Sequence, residues 1–445
     1  MAPSRGDGTK EGVVSVTPSE SSPAGQRPAA LGFIYAAVAM NMVSQGVIIP
    51  VFPVLVKSLT GQGDAGAAQI MGVFAAAWAV MQLTFAPVFG NLSDRFGRRP
   101  VLLVSMFGLA LDYVIMALAP NIIWLFVGRL ISGITSSSGS AAGAYVADVS
   151  NEDNRARNFG RFQAALNAGI FIGPLIGGLG ALNPRAPFWI AAGLAFANGL
   201  YGLFIIPESL AHERRAPFRW SRANPVGAAQ LLISRKGLLG LAGIVLLAQF
   251  ASFSFNSVFQ FYTHHRYGWG PANIALLLMV LSGSGIVIQS FGAGWAARWL
   301  GERGAVILGL CVNVVGFISL GLAPTAPLFW AAIIPVMCAG IAFPSLMSLL
   351  SARVGVDEQG QLQGALSIVF GLTALVAPLA FTNVFAWAIR PGGPQLPGLP
   401  MFIAAGLILA SVGMAVAFAR PAPPRLATEA MAEAEPPRLN LVTPH

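Results

Sequence analysis

The sequence predicts an all-α polytopic membrane protein, with 12 transmembrane helices in two pseudo-symmetric six-helix halves. Three observations predict it: a shortage of charge, twelve long apolar runs, and landmark residues that recur at one fixed offset. Of 445 residues only 10% are charged and 55% are hydrophobic. A soluble chain carries about 25% charged residues, so this one cannot cover a water-facing surface. That excludes an ordinary soluble enzyme, a coiled coil and a disordered chain. Cys311 and Cys338 both lie in apolar runs, which indicates neither a disulfide framework nor a metal cluster.

A helix crosses a bilayer in about 20 apolar residues, because the hydrocarbon core is about 30 Å thick. Such runs fall at roughly 31–56, 68–90, 101–119, 122–147, 160–182, 187–206, 238–262, 272–297, 305–323, 327–350, 361–387 and 400–419. Helix is the open-ended element that satisfies its own backbone in lipid, and the period-2 alternation of a membrane barrel is absent. Pro50 and Pro53 interrupt the first run. The 51 Gly and 31 Pro suit closely packed membrane helices.

Orientation follows from Lys and Arg, which gather in cytoplasmic loops. With both termini inside, the cytoplasmic segments hold 21 of the 26 basic residues. The outer segments hold Lys57, Arg185, Arg266 and Arg390, and Arg129 lies within a span. The asymmetry accounts for the net charge of +9 without nucleic acid. Residues 1–29 and 420–445 read as disordered cytoplasmic tails. The first tail lacks the apolar core and cleavage site of a signal peptide. Between the tails lie an N-terminal six-helix bundle (30–206), a cytoplasmic linker (207–237) and a C-terminal six-helix bundle (238–419).

The halves superimpose in sequence. Asp153, Arg157, Gly160 and Pro174 stand 204 residues before Asp357, Gln361, Gly364 and Pro378. Gly90, Gly97 and Arg99 stand 204 residues before Gly294, Gly301 and Arg303. Two parallel halves with a site between them is a construction used by secondary transporters.

Four features carry chemistry. The loop after span 2 contains Gly90, Asp94, Arg95, Gly97, Arg98, Arg99 and Pro100. Gly90 is expected to let two helices approach, Gly97 to permit a tight turn, and Pro100 to suit the first turn of span 3. Asp94 is expected either to sit at that helix start or to pair with an Arg. Span 5 carries Gly169, Gly173, Pro174, Gly177 and Gly178, whose spacing makes a groove for another helix. Arg129 near one end of span 4 is a charge inside a span, which snorkelling to the outer face would relieve. Asp112, midway along span 3, is the lone carboxylate deep in a span. An intramembrane carboxylate is a functional candidate by default, here as a proton carrier, the bland alternative being a hydrogen-bonded structural Asp.

The loop pattern Gly-x-x-x-Asp-Arg-x-Gly-Arg-Arg resembles the loop 2–3 signature of the major facilitator superfamily. The span 5 glycines resemble the motif of its drug:proton antiporter branch. Similarity to tetracycline efflux pumps extends over most of residues 33–420. It shows in residues 92–103, Asp112-Tyr113, residues 143–148, Ala186-Pro-Phe188, Pro207-Glu-Ser209, Leu300-Gly-Glu-Arg303 and residues 359–364. The resemblance implies an interlock around Asp94 that holds the outward-facing state, and proton coupling through Asp112 and Arg129. It also implies a bacterial inner membrane, and exchange of a tetracycline–divalent metal complex for a proton. The sequence departs from those pumps where they carry an Asp, a His and an Asp, and this chain has Asn41, Gly285 and Asn313. Ser132 stands where the span 4 pattern usually has Gln.

Polar residues in apolar spans are candidates to line the path: Asn41, Gln45, Gln82, Asn167, Gln249, Asn256 and Asn313, with Ser136 and Gln260 beside them. Few hydrogen-bonding groups among 29 Phe suit an amphipathic, drug-like solute. No G-x-x-x-x-G-K-[ST] loop is present, so ATP does not drive the protein directly. The expectation is a monomeric antiporter, not an enzyme, that exports small amphipathic molecules in exchange for protons by alternating access. It has the lipid bilayer as its setting and needs no metal or cofactor. A facilitator or differently coupled exporter, with Asp112 structural, stays open.

Overall fold

The computed structural model describes residues 26–136, 139–150, 152–210, 215, 236–288, 292–355 and 358–419. Residues 1–25 of the first expected tail, all of the second and most of the expected linker lie outside them, whereas residues 26–29, assigned to the tail from sequence, begin the first helix. The described residues form fifteen α-helices and no strand. Ten stretches are long and apolar enough to cross a membrane, and the shorter apolar helices Ile122–Thr135 and Pro271–Gly285 stand at the two remaining expected spans.

Span 1 is α1 (Gln26–Ile48) and α2 (Phe52–Thr60), broken where Pro50 lacks an N–H and Pro53 starts a new helix. Span 2 is α3 (Asp64–Phe96) and span 3 is α4 (Arg98–Leu118). Span 4 is α5 (Ile122–Thr135) and α6 (Gly139–Asp148), where one helix was expected. Near that junction Thr135 Oγ1 donates to Ile131 O at 2.9 Å and Ser136 Oγ to Gly133 O at 3.3 Å, the back-bonding that bends helices. Span 5 is α7 (Glu152–Gly177), extended by a 3₁₀ turn at Gly178–Ala181, and span 6 is α8 (Ala186–Ile205).

The second half contains α9 (Lys236–Tyr267), α10 (Pro271–Val287), α11 (Ala293–Leu322), α12 (Ala326–Cys338), α13 (Ala342–Ser351), α14 (Gln359–Ile389) and α15 (Leu399–Phe418). α11 runs through the expected loop between spans 8 and 9 but turns at Gly301, with φ 70° and ψ 165°. Gly97, its mate in the repeat, has φ 105° and ψ 161°. The two halves thus make the same turn at the same place, in a region that favours glycine. Span 10 splits into α12 and α13, joined by a 3₁₀ turn at Ala339–Ile341. Pro344 offers no N–H to the turn before it, which ends the first piece.

The halves meet through two symmetry-related pairs, α3 with α14 and α7 with α10. Aromatic and aliphatic side chains such as Tyr113, Phe188, Phe317 and Phe381 are fully buried, while Val104, Leu111, Phe204 and Trp299 point outward. An apolar rim around an apolar interior is what lipid as solvent requires.

The two faces of the bundle differ. On the face bearing Lys57, polar contacts join the halves. Asp64 of α3 pairs with Lys57 of α2, and its Oδ2 lies 3.0 Å from His264 Nδ1 and 3.7 Å from His265 Nδ1 of α9. Lys57 Nζ also lies 3.1 Å from His264 Nδ1. Gln69 Nε2 donates to Asn383 Oδ1 at 2.9 Å. On the opposite face, bearing Arg98, the contacts of Arg98, Glu302 and Arg303 stay within one half. The molecule is closed at the Lys57 face. Asp64→Asn is expected to loosen that closure. A cysteine at Ala275, where α10 meets Gly178, should then react about two- to five-fold faster with a soluble maleimide, matching the small worth of exposed ion pairs. An unchanged rate would mean that packing alone holds this face shut.

Candidate functional site

Asp112 is fully buried in α4. Its carboxylate sits against α5, where a Cβ on Gly128 would lie 2.8 Å from Asp112 Oδ1. Only a glycine lets the two backbones come this close around the acid. No well-formed hydrogen bond reaches either oxygen of Asp112, and the Ser132 hydroxyl beside it is a group able to make one. Arg129 is the charge that bears on Asp112. Arg129 does not snorkel. Its guanidinium lies over the Phe52 ring at 5.0 Å from the centroid, and its Nε is buried without a partner. The arginine faces inward because α2 folds back over this end of α5 and offers an aromatic face. The structure therefore brings together Asp112, Arg129, Phe52 and the buried Tyr113, whose hydroxyl also lacks a partner.

The loop motif is closed within its own half. Arg98 Nη1 donates to Asp94 Oδ1 at 2.5 Å and to Ser93 Oγ at 2.7 Å, and its Nε donates to Asp148 Oδ2 at 3.0 Å. Asp94 thus pairs with an arginine and does not cap the helix. The cap is Glu208, which accepts from Arg98 N at 2.8 Å and Arg99 N at 3.3 Å. Arg99 Nη2 donates to Leu203 O. Residues 207–210, assigned to the linker from sequence, are therefore part of the N-terminal half, and Leu210 is buried. Gly97 is required twice over: its φ is positive, and Glu208 occupies the space a Cβ would take. Arg95 lies over the Phe96 ring at 5.1 Å. Gly90 does not bring helices together here, since a Cβ there would meet nothing within 4 Å.

Sequence reasoning missed Glu208 and Asp148 as members of this cluster, although both lie in strings that carry the family resemblance. Glu208→Ala is expected to cost about 1 kcal/mol, the usual worth of an N-cap. A lower midpoint of thermal unfolding in detergent would report it, and Glu208→Gln should recover part of the loss.

The span 5 glycines divide. A Cβ on Gly173 would lie 2.6 Å from Gly46 Cα and 2.7 Å from Val43 O, and one on Gly169 would lie 3.0 Å from Val43 N. A Cβ on Gly177 would lie 3.0 Å from Pro50 Cδ. These three hold α1 against α7. Gly178 instead faces the other half, where a Cβ would lie 3.1 Å from Ala275 Cβ. Pro174 lies inside α7, and its mate Pro378 inside α14.

The path candidates also divide. Gln249, Asn256 and Asn313 line a cavity of about 360 Å³ in the second half. Asn256 also borders a smaller space of about 170 Å³ between the halves, with Met71, Gln260 and Thr382. Asn41 and Gln45 face each other at 3.5 Å, and Asn167 accepts from Gln163 at 3.2 Å. These three, like Gln82, line neither space. Gly285, where the resemblance implied a histidine, faces open space.

Comparison with known proteins accords with this geometry. The family model described as Major Facilitator Superfamily matches residues 30–378. The chain is 37% identical to "Tetracycline resistance protein, class C" of Escherichia coli over 80% of this chain and 90% of that one. It is 27% identical to "Multidrug resistance protein 2" of Bacillus subtilis (strain 168) over 75% and 83%. The crystal structure of the human organic anion transporter MFSD10 (TETRAN) superimposes with a TM-score of 0.63 at 22% identity, covering 88% of this chain and all of that one. A multi-pass helical bundle with a repeated half, the loop signature intact and a matching family model over most of its length, the chain belongs to the Major Facilitator Superfamily.

Proposed function

We propose that the protein is a secondary active exporter of small amphipathic, drug-like compounds, tetracyclines among the first to test, driven by inward movement of protons. The observation that carries the reading is the fully buried Asp112 carboxyl group, with Arg129 as the charge that bears on it and the Ser132 hydroxyl beside it. Protonated, it is neutral and at home in an apolar interior. Deprotonated, it leaves a charge that Arg129 answers. A group of this kind couples proton movement to a choice between two arrangements of the halves. The printed names of the bacterial relatives, resistance to tetracycline and to multiple drugs, support the cargo class.

The basic residues crowd the Arg98 face, which supports placing that face and both termini in the cytoplasm of a bacterial inner membrane. The chain then stands closed to the outside. In this arrangement Asp94 and Arg98 pair within one half, and the loop motif awaits its partner half. The protein works as a monomer in this reading, because each face is closed or opened by contacts within one chain.

The test is tetracycline accumulation in efflux-deficient bacteria that make the protein, with and without a protonophore. Lower accumulation that the protonophore restores supports proton-driven export. Unchanged accumulation with well-inserted protein rejects tetracycline as cargo. Lower accumulation that the protonophore leaves untouched rejects proton coupling.

A further inference from the structure

One short helix touches both the buried pair and the closure at the Lys57 face. α2 (Phe52–Thr60) begins at Phe52 and carries Lys57 five residues on, about 7.5 Å along a helix axis. Its faces point to different places. Phe52 is buried, packs on Phe74 and Phe188 of its own half, and lies under the Arg129 guanidinium at 5.0 Å from the ring centroid. Pro53 and Lys57, one turn apart, line a narrow crevice with Gln260 and His264 of α9 and Pro271 of α10. Lys57 pairs with Asp64, and its Nζ lies 3.1 Å from His264 Nδ1 in the other half. Each end of α2 is a break. Pro50 separates it from α1, and Gly61 ends it with φ 65°. Residues at element ends are the ones that absorb backbone rotation, so α2 can rock as one body.

Arg129 has two claimants. The Asp112 carboxyl group bears on it as a charge, and the Phe52 ring faces it directly. An ionised carboxylate in an apolar interior attracts a guanidinium far more strongly than a ring does. A neutral carboxyl group attracts it little, and the ring is then what answers the buried cation.

We infer that α2 passes the protonation state of Asp112 to the closure at the Lys57 face, and that Phe52 is the positioning residue through which it does so. With Asp112 neutral, Arg129 stays on the ring and anchors α2, and Lys57 keeps its place between Asp64 and His264. With Asp112 ionised, the guanidinium moves toward the carboxylate, α2 loses its anchor and the face loosens. That this link serves transport rests on the export reading above, in which a proton taken from outside shuts the face it entered by. That it joins the two places does not. Arg129 of α5 and Tyr113 of α4 are the titratable groups that bear on Asp112. Lys57, Asp64, His264 and His265 are those at the far end.

The experiment follows a reporter cysteine at Ala275 in the full-length protein in detergent, with Cys311 and Cys338 replaced by Ser. The readout is its rate of reaction with a soluble maleimide. Phe52→Leu should raise that rate about three- to thirtyfold, the span that a cation–π contact covers. Phe52→Tyr, which keeps a ring face, should recover most of the difference. In an Arg129→Met background Phe52→Leu should change the rate by no more than about twofold. Lost packing alone would act equally in both backgrounds, so an equal rise overturns the inference. Thermal midpoints report whether each variant is folded. The rate is then divided by that of Asp112→Asn from mildly acid to mildly alkaline pH, a ratio in which thiol ionisation and the groups around Lys57 cancel. The ratio should climb with pH, and stay flat once Phe52 is replaced by Leu. A ratio near one throughout, or an equal climb in Phe52→Leu, would overturn the inference. Labelling needs neither cargo nor a gradient. An intact link without protonophore-sensitive export would keep the inference and remove the export reading. Such export with no effect of Phe52→Leu on labelling would do the reverse.

Discussion

Asp112→Asn is expected to abolish proton-driven export and to leave the protein folded in the membrane. The substitution keeps volume and shape. An Asn oxygen can still accept from the Ser132 hydroxyl beside it, so the loss of stability stays within about 1 kcal/mol. What disappears is the ability to carry a proton. One proton moving down 100 mV supplies about 2.3 kcal/mol. At about 1.4 kcal/mol per tenfold, that sustains a cargo gradient of roughly 50-fold. In proteoliposomes with an imposed potential and pH difference, the parent should build such a gradient and the variant should reach only equal concentrations. Exchange of labelled for unlabelled cargo, which needs no net proton movement, should survive. A variant that still builds the gradient would make Asp112 a structural residue and restore the differently coupled alternative.

Gly173→Ala disrupts the N-terminal half itself. The added carbon would lie 2.6 Å from Gly46 Cα and 2.7 Å from Val43 O. Both obstacles are backbone, so no side chain can swing aside and α1 must move as a body. Overpacking of this kind costs about 1–3 kcal/mol, and with backbone on both sides the upper end is expected. Thermal unfolding in detergent and the yield of monodisperse protein should both fall. Gly90→Ala is the control. Nothing lies within 4 Å of the carbon it adds, so stability should hold or rise by up to about 1 kcal/mol through helix propensity. Equal loss in the two variants would mean that the close contact at Gly173 is not what decides. Gly178→Val is expected to differ from both, disturbing the closed Lys57 face through Ala275 while sparing the α1–α7 contact.

Much of the fold was legible because lipid demands long apolar helices, and periodic apolar runs can be counted. The turn at Gly97 and its mate Gly301 was legible as a spacing, and both adopt the positive φ that the spacing implied. The breaks inside spans 4 and 10 were not. In span 10 hydropathy stays high through the break, and in span 4 the Ser- and Gly-rich stretch 132–140 was read through as part of one long run; the causes are hydroxyl back-bonding near Thr135 and the missing N–H of Pro344. Asp112 stood out because a carboxylate in an apolar run is rare. The inward turn of Arg129 did not, because it depends on Phe52, far away in sequence and brought back by the break at Pro50. Glu208 was hidden in a stretch that reads as linker, although its carboxylate caps a helix more than a hundred residues earlier. Of the path candidates, composition could not tell Asn313, which faces a cavity, from Asn41 and Gln45, which face each other.

The placing of Asp112 and Arg129 on consecutive helices also bears on how the chain enters the bilayer. Each ionised residue alone costs roughly 2.5–3.5 kcal/mol at the centre of an inserting helix. Arg98–Leu118 is apolar enough to carry such a burden, with a hydropathy of 2.2. The shorter α5, with Arg129 at its middle, has less in reserve. Delivered together as a hairpin through the turn at Ala119–Asn121, the two spans bring opposite charges into the membrane in one event. An arrangement proposed for coupling would thus also lower the cost of insertion, each helix helping the other across.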